Sequence, residues 1–415
     1  MLALTLSRSA SSIDSLSSDS EIKLQTSHYI GPLSCLSAAL SIAKNTETEA
    51  AQAPTPPCLH FQRDLDLNLA PNQESIDYLI SKYVSDIQNV YPILDETLPC
   101  LSPGWSVEHN EADLTPRELF MLELIYSIAS HQVIAQSSNY EKIYYYQKLA
   151  DSCHRKARFI FDKAATDISI GTLETVTLAA LHSLLSPQTG NIGQLIGLAA
   201  RLAIDLGAVD RPHINSNEEN KIEQIYKSVY CLENQYATAL DRPGLLPPPV
   251  IDPESRISQD ILCLIYQIQS RFRLHRGNVD STPLLQELDG YFSTIEQMSI
   301  RSRGSILATV YETRLLIQPD DEESAVCLLD IYSQRFYIRT ALSPSWAYRA
   351  GLVVISRAAH LHPDAIQKCG GGLHKRYQAY GNCLLFLEQC SRRWPSANAL
   401  RMSLQEVFSK ASGMQ

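Results

Sequence analysis

Residues 190–252 restrict the fold more than any other stretch of the chain. Leu195, Leu198, Ala199, Leu202 and Leu206 recur at helical spacing and predict an amphipathic helix over 191–206, with Gln194, Arg201 and Asp205 on its polar face and Gly207 as its stop. Arg201 and Asp205 are i, i+4 partners, a modest stabiliser. Gly193 and Gly197 cost helix propensity, ~1 kcal/mol each relative to Ala, so a close helix–helix contact is expected to compensate. A second helix over 219–240 runs into Asp241-Arg242-Pro243-Gly244, because the residue before proline avoids the α region. Pro247-Pro248-Pro249 then predicts an extended connector without hydrogen bonds.

The same period continues on both sides. An i, i+3, i+4 stripe of Ile76, Leu79, Ile80, Tyr83 and Ile87 predicts a helix over 75–91, stopped by Pro92. Thr115-Pro116-Arg117-Glu118 reads as an N-cap, a first-turn proline and an early glutamate opening a helix over 116–135. Further helices are expected at 140–163, 172–186, 254–275, 281–298, 303–316, 322–342, 346–361, 374–393 and 398–410. Gly370-Gly371-Gly372 reads as a hinge between helices. No two-residue hairpin signal with alternating flanks occurs. The expected fold is all-α, a single large multi-helix domain over 73–415 behind a mostly disordered N-terminal segment. Within that segment, 1–72, Ser-rich 7–20 and Pro/Thr/Ala-rich 46–57 bury too little apolar surface to offset ordering entropy, while residues 28–36 form a short apolar island.

Charge and cysteine usage exclude several functions. A net charge of −10 without a Lys/Arg-rich block disfavours autonomous nucleic-acid binding, whose affinity is dominated by phosphate neutralisation. None of the ten cysteines stands in a C-x2-C pair, so no zinc finger, ribbon or six-cysteine cluster can be drawn. Thiols embedded in apolar helical patterns point to a reducing intracellular compartment. No apolar run approaches the ~20 residues of a membrane span, and MLALTLSRSASS lacks the basic lead of a signal peptide, so neither membrane nor secretion is expected.

Four stretches then resemble, in order, the regulatory "middle homology region" of fungal zinc-cluster transcription factors. Ser27-His28-Tyr29-Ile30-Gly31-Pro32-Leu33-Ser34 looks like its Y-x-G-x-x-S island, and ISKYVSDIQNVYPIL (80–94) like its first helix. Residues 192–252 are similar to its central helix pair, including Arg242-Pro243. Residues 304–319 and 384–407 look like its C-terminal helices, with Trp394-Pro395-Ser396-Ala397 the most specific piece. Asp241 stands where the family usually has Gly before Arg-Pro, and Gly207-Ala208-Val209 lacks the family's common histidine. The six-cysteine DNA-binding module is absent. The resemblance implies a nuclear regulator of a fungal pathway or of secondary metabolism, working through an effector-binding domain without its own DNA-binding head. Its implied partners are other regulator subunits or the transcription machinery, with a small molecule as effector and no cofactor.

A rival reading comes from chemistry. Asn234, Thr238 and Asp241 lie at i, i+4 and i+7 and can present three oxygens on one helix face, which resembles the Mg²⁺-binding triad of all-α terpene cyclases one residue short. Asp320-Asp321-Glu322-Glu323 would be the companion acidic cluster for Mg²⁺ and diphosphate, making the chain a cytoplasmic cyclase or lyase. Against that, acids just after Pro319 suit a helix N-terminus and Asp241 suits a helix end. His360-x-His362 with Asp364 reads as a helix-terminal pair rather than a metal clip, and the neighbours Cys153 and His154 point different ways. The patch Arg271, Arg273, His275, Arg276 reads as a solvated helix end or a contact for an acidic partner. A third reading is an interaction protein that pairs with a full-length regulator.

Overall fold

A computed structural model describes residues 69, 71–95, 98, 101, 114–208, 217–275, 280–334, 337–359 and 370–411, and no strand occurs among them. The expectations on 1–68, including the island, and on His360, His362, Asp364 and Arg276 lie outside the described residues.

The chain opens with α1 (Gln73–Tyr83), capped by the Asn72 side chain, which accepts from Ser75 N at 2.9 Å. The predicted helix to 91 does not stay regular. It widens into a π-helical turn at Val84–Gln88 before Pro92. Helix α2 (Pro116–Gln136) starts with the anticipated Thr115 cap, now a full capping box with Glu118. It is buried on nearly all sides from Phe120 to Ile134, which makes it the central post of the N-terminal half. Around it stand α3 (Tyr140–Ala164), α4 (Ile170–Leu185), α5 (Ile192–Asp205) and α6 (Asn217–Ala239). Helix α7 (Ser258–Leu274) links this core to α8 (Thr282–Gly290), α9 (Phe292–Glu296) and α10 (Ile300–Ile317). The C-terminal half adds α11 (Glu322–Ser333), α12 (Ser343–Ala359), α13 (Gly370–Ser391) and α14 (Ser396–Ala411), packed on their own core of Tyr332, Trp346, Phe386, Leu387 and Trp394.

Several boundaries moved for visible reasons. Helix α7 begins at Ser258 rather than 254, because Asp252 holds the preceding turn by accepting from Glu254 N at 2.9 Å on its side chain and from Ser255 N at 3.0 Å on its carbonyl. The helix expected over 281–298 breaks in two at Tyr291. That expected over 322–342 stops at Ser333, because the segment after it is a plug. Ile338 N donates to Ser305 Oγ at 3.1 Å, and Ala341 N donates to Leu184 O at 3.0 Å, tying the two halves together. Gly370-Gly371-Gly372 is the first turn of α13, not a hinge.

The stretch 190–252 packs largely as its pattern predicts. A Cβ on Gly193 would come within 3.2 Å of the Tyr236 ring, so this glycine does permit close approach of α5 to α6. Gly197 meets nothing within 4 Å, and the expected compensation is missing there. The proline connector is not free of hydrogen bonds. Pro247 O accepts from Tyr226 Oη at 2.6 Å and Pro249 O from Gln267 Nε2 at 2.9 Å, so α6 and α7 pin it from both ends.

Candidate functional site

The N-terminal half encloses a pocket of about 700 Å³ between α2, α3, α4 and α5. Helical spacing brings its walls together: His154, Arg158 and Phe161 come from successive turns of α3, and Gln194, Leu195 and Leu198 from one face of α5. Ala157 and Ala179 leave the room between the helices. The apolar side is built on Phe120 and Phe161, whose rings lie 5.4 Å apart, and Leu198 stands 45% exposed at the pocket wall. Exposed Arg158 and Asp162, one turn apart, place one charge of each sign at the pocket.

Three histidines run from this pocket into the core. The His154 and His182 rings stack at 4.5 Å and 5°, and His131 lies 5.5 Å behind His182. His182 Nε2 is 2.8 Å from Ser127 Oγ, and Nδ1 is 3.3 Å from Thr189 Oγ1. Both hydroxyls also donate to carbonyls, Ser127 to Ala150 O at 3.0 Å and Thr189 to Ser186 O at 2.6 Å. With both hydroxyl protons placed there, His182 would have to donate from both nitrogens and carry a charge. Burial opposes this and lowers the His182 pKa well below the ordinary value, aided by the neighbouring His154 and Arg393. Burial first, then Arg393, lowers His131 likewise, and burial followed by Arg158 lowers His154. A neutral His182 therefore donates to one hydroxyl and accepts from the other, which turns away from its carbonyl.

The Ser127–His182 pair has the geometry of a nucleophile and a base, yet Ser127 is wholly buried and does not reach the pocket. Cys153 points away from His154, as anticipated. Its thiol is buried against Glu123, and burial raises its pKa well above the ordinary value. Neither Ser127 nor Cys153 lines the pocket.

The residues singled out for Mg²⁺ chemistry sit elsewhere. Asn234 donates from Nδ2 to Tyr230 O at 3.0 Å and accepts from Arg273 Nη2 at 2.7 Å. Thr238 donates to Gln269 Oε1 at 2.8 Å, and Gln269 Nε2 donates on to Thr313 at 2.8 Å. Asp241 lies past the end of α6 with φ 54°. Asn234 and Thr238 therefore face α7 inside the core, whereas Asp320, Asp321, Glu322 and Glu323 border an open depression with Arg376. Asp321 caps α11 by accepting from Ser324 N at 3.2 Å, and Arg376 grips Glu322 with two nitrogens. Among the described residues no group of three His, Cys, Asp or Glu is placed to hold a metal ion. In the basic patch, Arg273 turns inward to Asn234 and Arg242 O, and Arg271 pairs with Glu287 at 2.6 Å. Sequence reasoning passed over His131 and His182, because three histidines on three helices share no local spacing.

Residues 80–263 match the family model of the fungal specific transcription factor domain. No curated protein and no solved structure matches the chain. The matched span contains the whole pocket wall, the histidine row and the Asp241-Arg242-Pro243 turn. Over residues 80–263 this chain is thus similar to the fungal specific transcription factor domain.

Proposed function

We propose that this chain regulates transcription in a fungus by binding a small effector in the α2–α5 pocket. The observation that carries this is a cavity of about 700 Å³ lying wholly within the family span, of the size that holds a drug-sized ligand. Its lining favours an amphipathic metabolite: an apolar body against Phe120, Phe161, Leu195 and Leu198, and polar groups toward His154 and Arg158. The net charge of −10 supports a division of labour in which this domain leaves DNA to a partner regulator or the transcription machinery. The place of action is then the nucleus, and the regulated genes belong to a biosynthetic pathway of secondary metabolism.

The test pairs genetics with binding. Deleting the gene should change transcripts of a defined gene set, and complementation should restore them. Arg158→Ala and Leu198→Glu, both at exposed positions, should leave the melting temperature within about 1 °C while weakening effector response by roughly tenfold or more. An unchanged transcriptome in the deletion strain would refute the regulatory reading. Full response from both variants would remove the pocket from it.

A further inference from the structure

A second cavity, of about 20 Å³, lies where α2 ends, the plug segment passes and α13 turns into α14. Its polar lining is Ser137, Arg339, Gln389, Cys390, Arg392 and Arg393, with no acidic residue. Arg339 is only 7% exposed. It donates from Nη1 to Gln389 Oε1 at 2.9 Å and lies over the Phe386 ring at 5.1 Å. Arg393 donates from Nη2 to Leu185 O and stacks on Trp394 at 4.8 Å, while its Nε and Nη1 are shut off from solvent without a partner. The carboxylate that acts on Arg393 is Asp151 on α3, but it is solvent-facing, takes a hydrogen bond from Gln147 at 3.2 Å and forms no ion pair with Arg393 among the described residues. Arg392 stays at the rim, over the Tyr140 ring at 4.9 Å.

Two guanidinium groups withdrawn from water without a counter-ion are unfavourable, because desolvation of a charge is offset only by pairing. The natural local candidate, the Cys390 thiolate, does not serve, since burial pushes that thiol up to about 12. A cavity needs roughly 10–15 Å³ to take one water-sized particle, so this one has room for a single small particle. A water would satisfy hydrogen bonds but leave both charges uncompensated.

We propose that Arg339 and Arg393 bind one chloride-sized inorganic anion in this cavity. The anion meets the free Arg393 Nε and Nη1 and neutralises charge at the seam between the two halves, where Arg393 and Trp394 both hold Leu185 O. It binds the folded chain and not the unfolded one, so it raises stability with its concentration.

Crystals of the full chain grown in or soaked with sodium bromide should show an anomalous peak between Arg339 and Arg393. The melting temperature should rise by several degrees from sodium gluconate to sodium chloride at equal ionic strength, saturating with chloride concentration. Arg393→Met should abolish both effects, and Arg392→Gln at the rim should keep them. If Arg393→Met does not fold, Arg339→Gln and the wild-type bromide map decide the matter. An empty or water-filled map together with equal melting in chloride and gluconate overturns the proposal, as does a bromide peak without any chloride-dependent melting, which marks an adventitious ion only.

Discussion

Gly207 and Asp241 occupy the same backbone state, φ 82° and φ 54°, and each closes a helix in the same manner. After α5, Ala208 N donates to Ala203 O at 3.0 Å; after α6, Arg242 N donates to Ala237 O at 2.9 Å. Both are six-to-one closures that need a left-handed residue, which glycine adopts without steric cost. Asp241→Gly should therefore stabilise the fold by about 0.5–1 kcal/mol, and Gly207→Ala should destabilise it by about 1 kcal/mol, both read from urea unfolding midpoints. Loss of stability in Asp241→Gly would show that the aspartate side chain matters more than its strained backbone. The sequence marked position 241 as unusual, since glycine stands there in the resembling family. It could not show the reason, because a φ angle is set by how the turn after α6 meets α7. There Arg242 O accepts from Arg273 Nη1 at 2.6 Å.

Among whole elements, α5 holds two glycines one turn apart with opposite roles. Gly193 faces Tyr236 at contact distance, while Gly197 faces open space. Gly193→Val should destabilise by about 1–3 kcal/mol through overpacking, whereas Gly197→Ala should stabilise by up to about 1 kcal/mol through helix propensity. Thermal melts of the two single variants suffice to separate these signs. Periodicity exposed the helices, because an apolar stripe and its caps are local: Thr115, Ser169 and Asn191 all cap as their residue types suggest. It misjudged 337–342, where apolar Tyr337, Ile338 and Leu342 look like a helical continuation but are buried as an irregular plug. The 700 Å³ pocket was equally hidden, since its walls come from four helices and its polar groups are spread from His154 to Gln194.

For the molecule as a whole, buried titratable groups set opposing limits on stability. His131 and His182 have pKa values lowered by burial, so their contribution is full above the unfolded histidine value of about 6.5 and is lost as pH falls below it. Glu312 behaves in the other direction. Burial raises it to about 7, and Tyr332 Oη donates to it at 2.6 Å. Its protonated form suits the fold, so stability declines as pH rises from about 4.5 to 7 and then levels off. Glu312→Gln keeps an acceptor for Tyr332. It should stabilise by about 2–3 kcal/mol at pH 8 and by little at pH 4.5, measured by urea titration at both pH values. An equal effect at both would assign the gain to packing instead of ionisation.

Helix α4 ends in a way that bears on how a bound effector could be felt far away. His182 and Ser183 form part of the pocket wall, and the very next carbonyls, Leu184 O and Leu185 O, carry Ala341, Arg393 and Trp394 from the C-terminal half. Sensor and joint are consecutive residues on one rigid rod. A guest that tilts the final turn of α4 would shift Leu184 O and Leu185 O and so act directly on the hydrogen bonds by which the C-terminal half is joined.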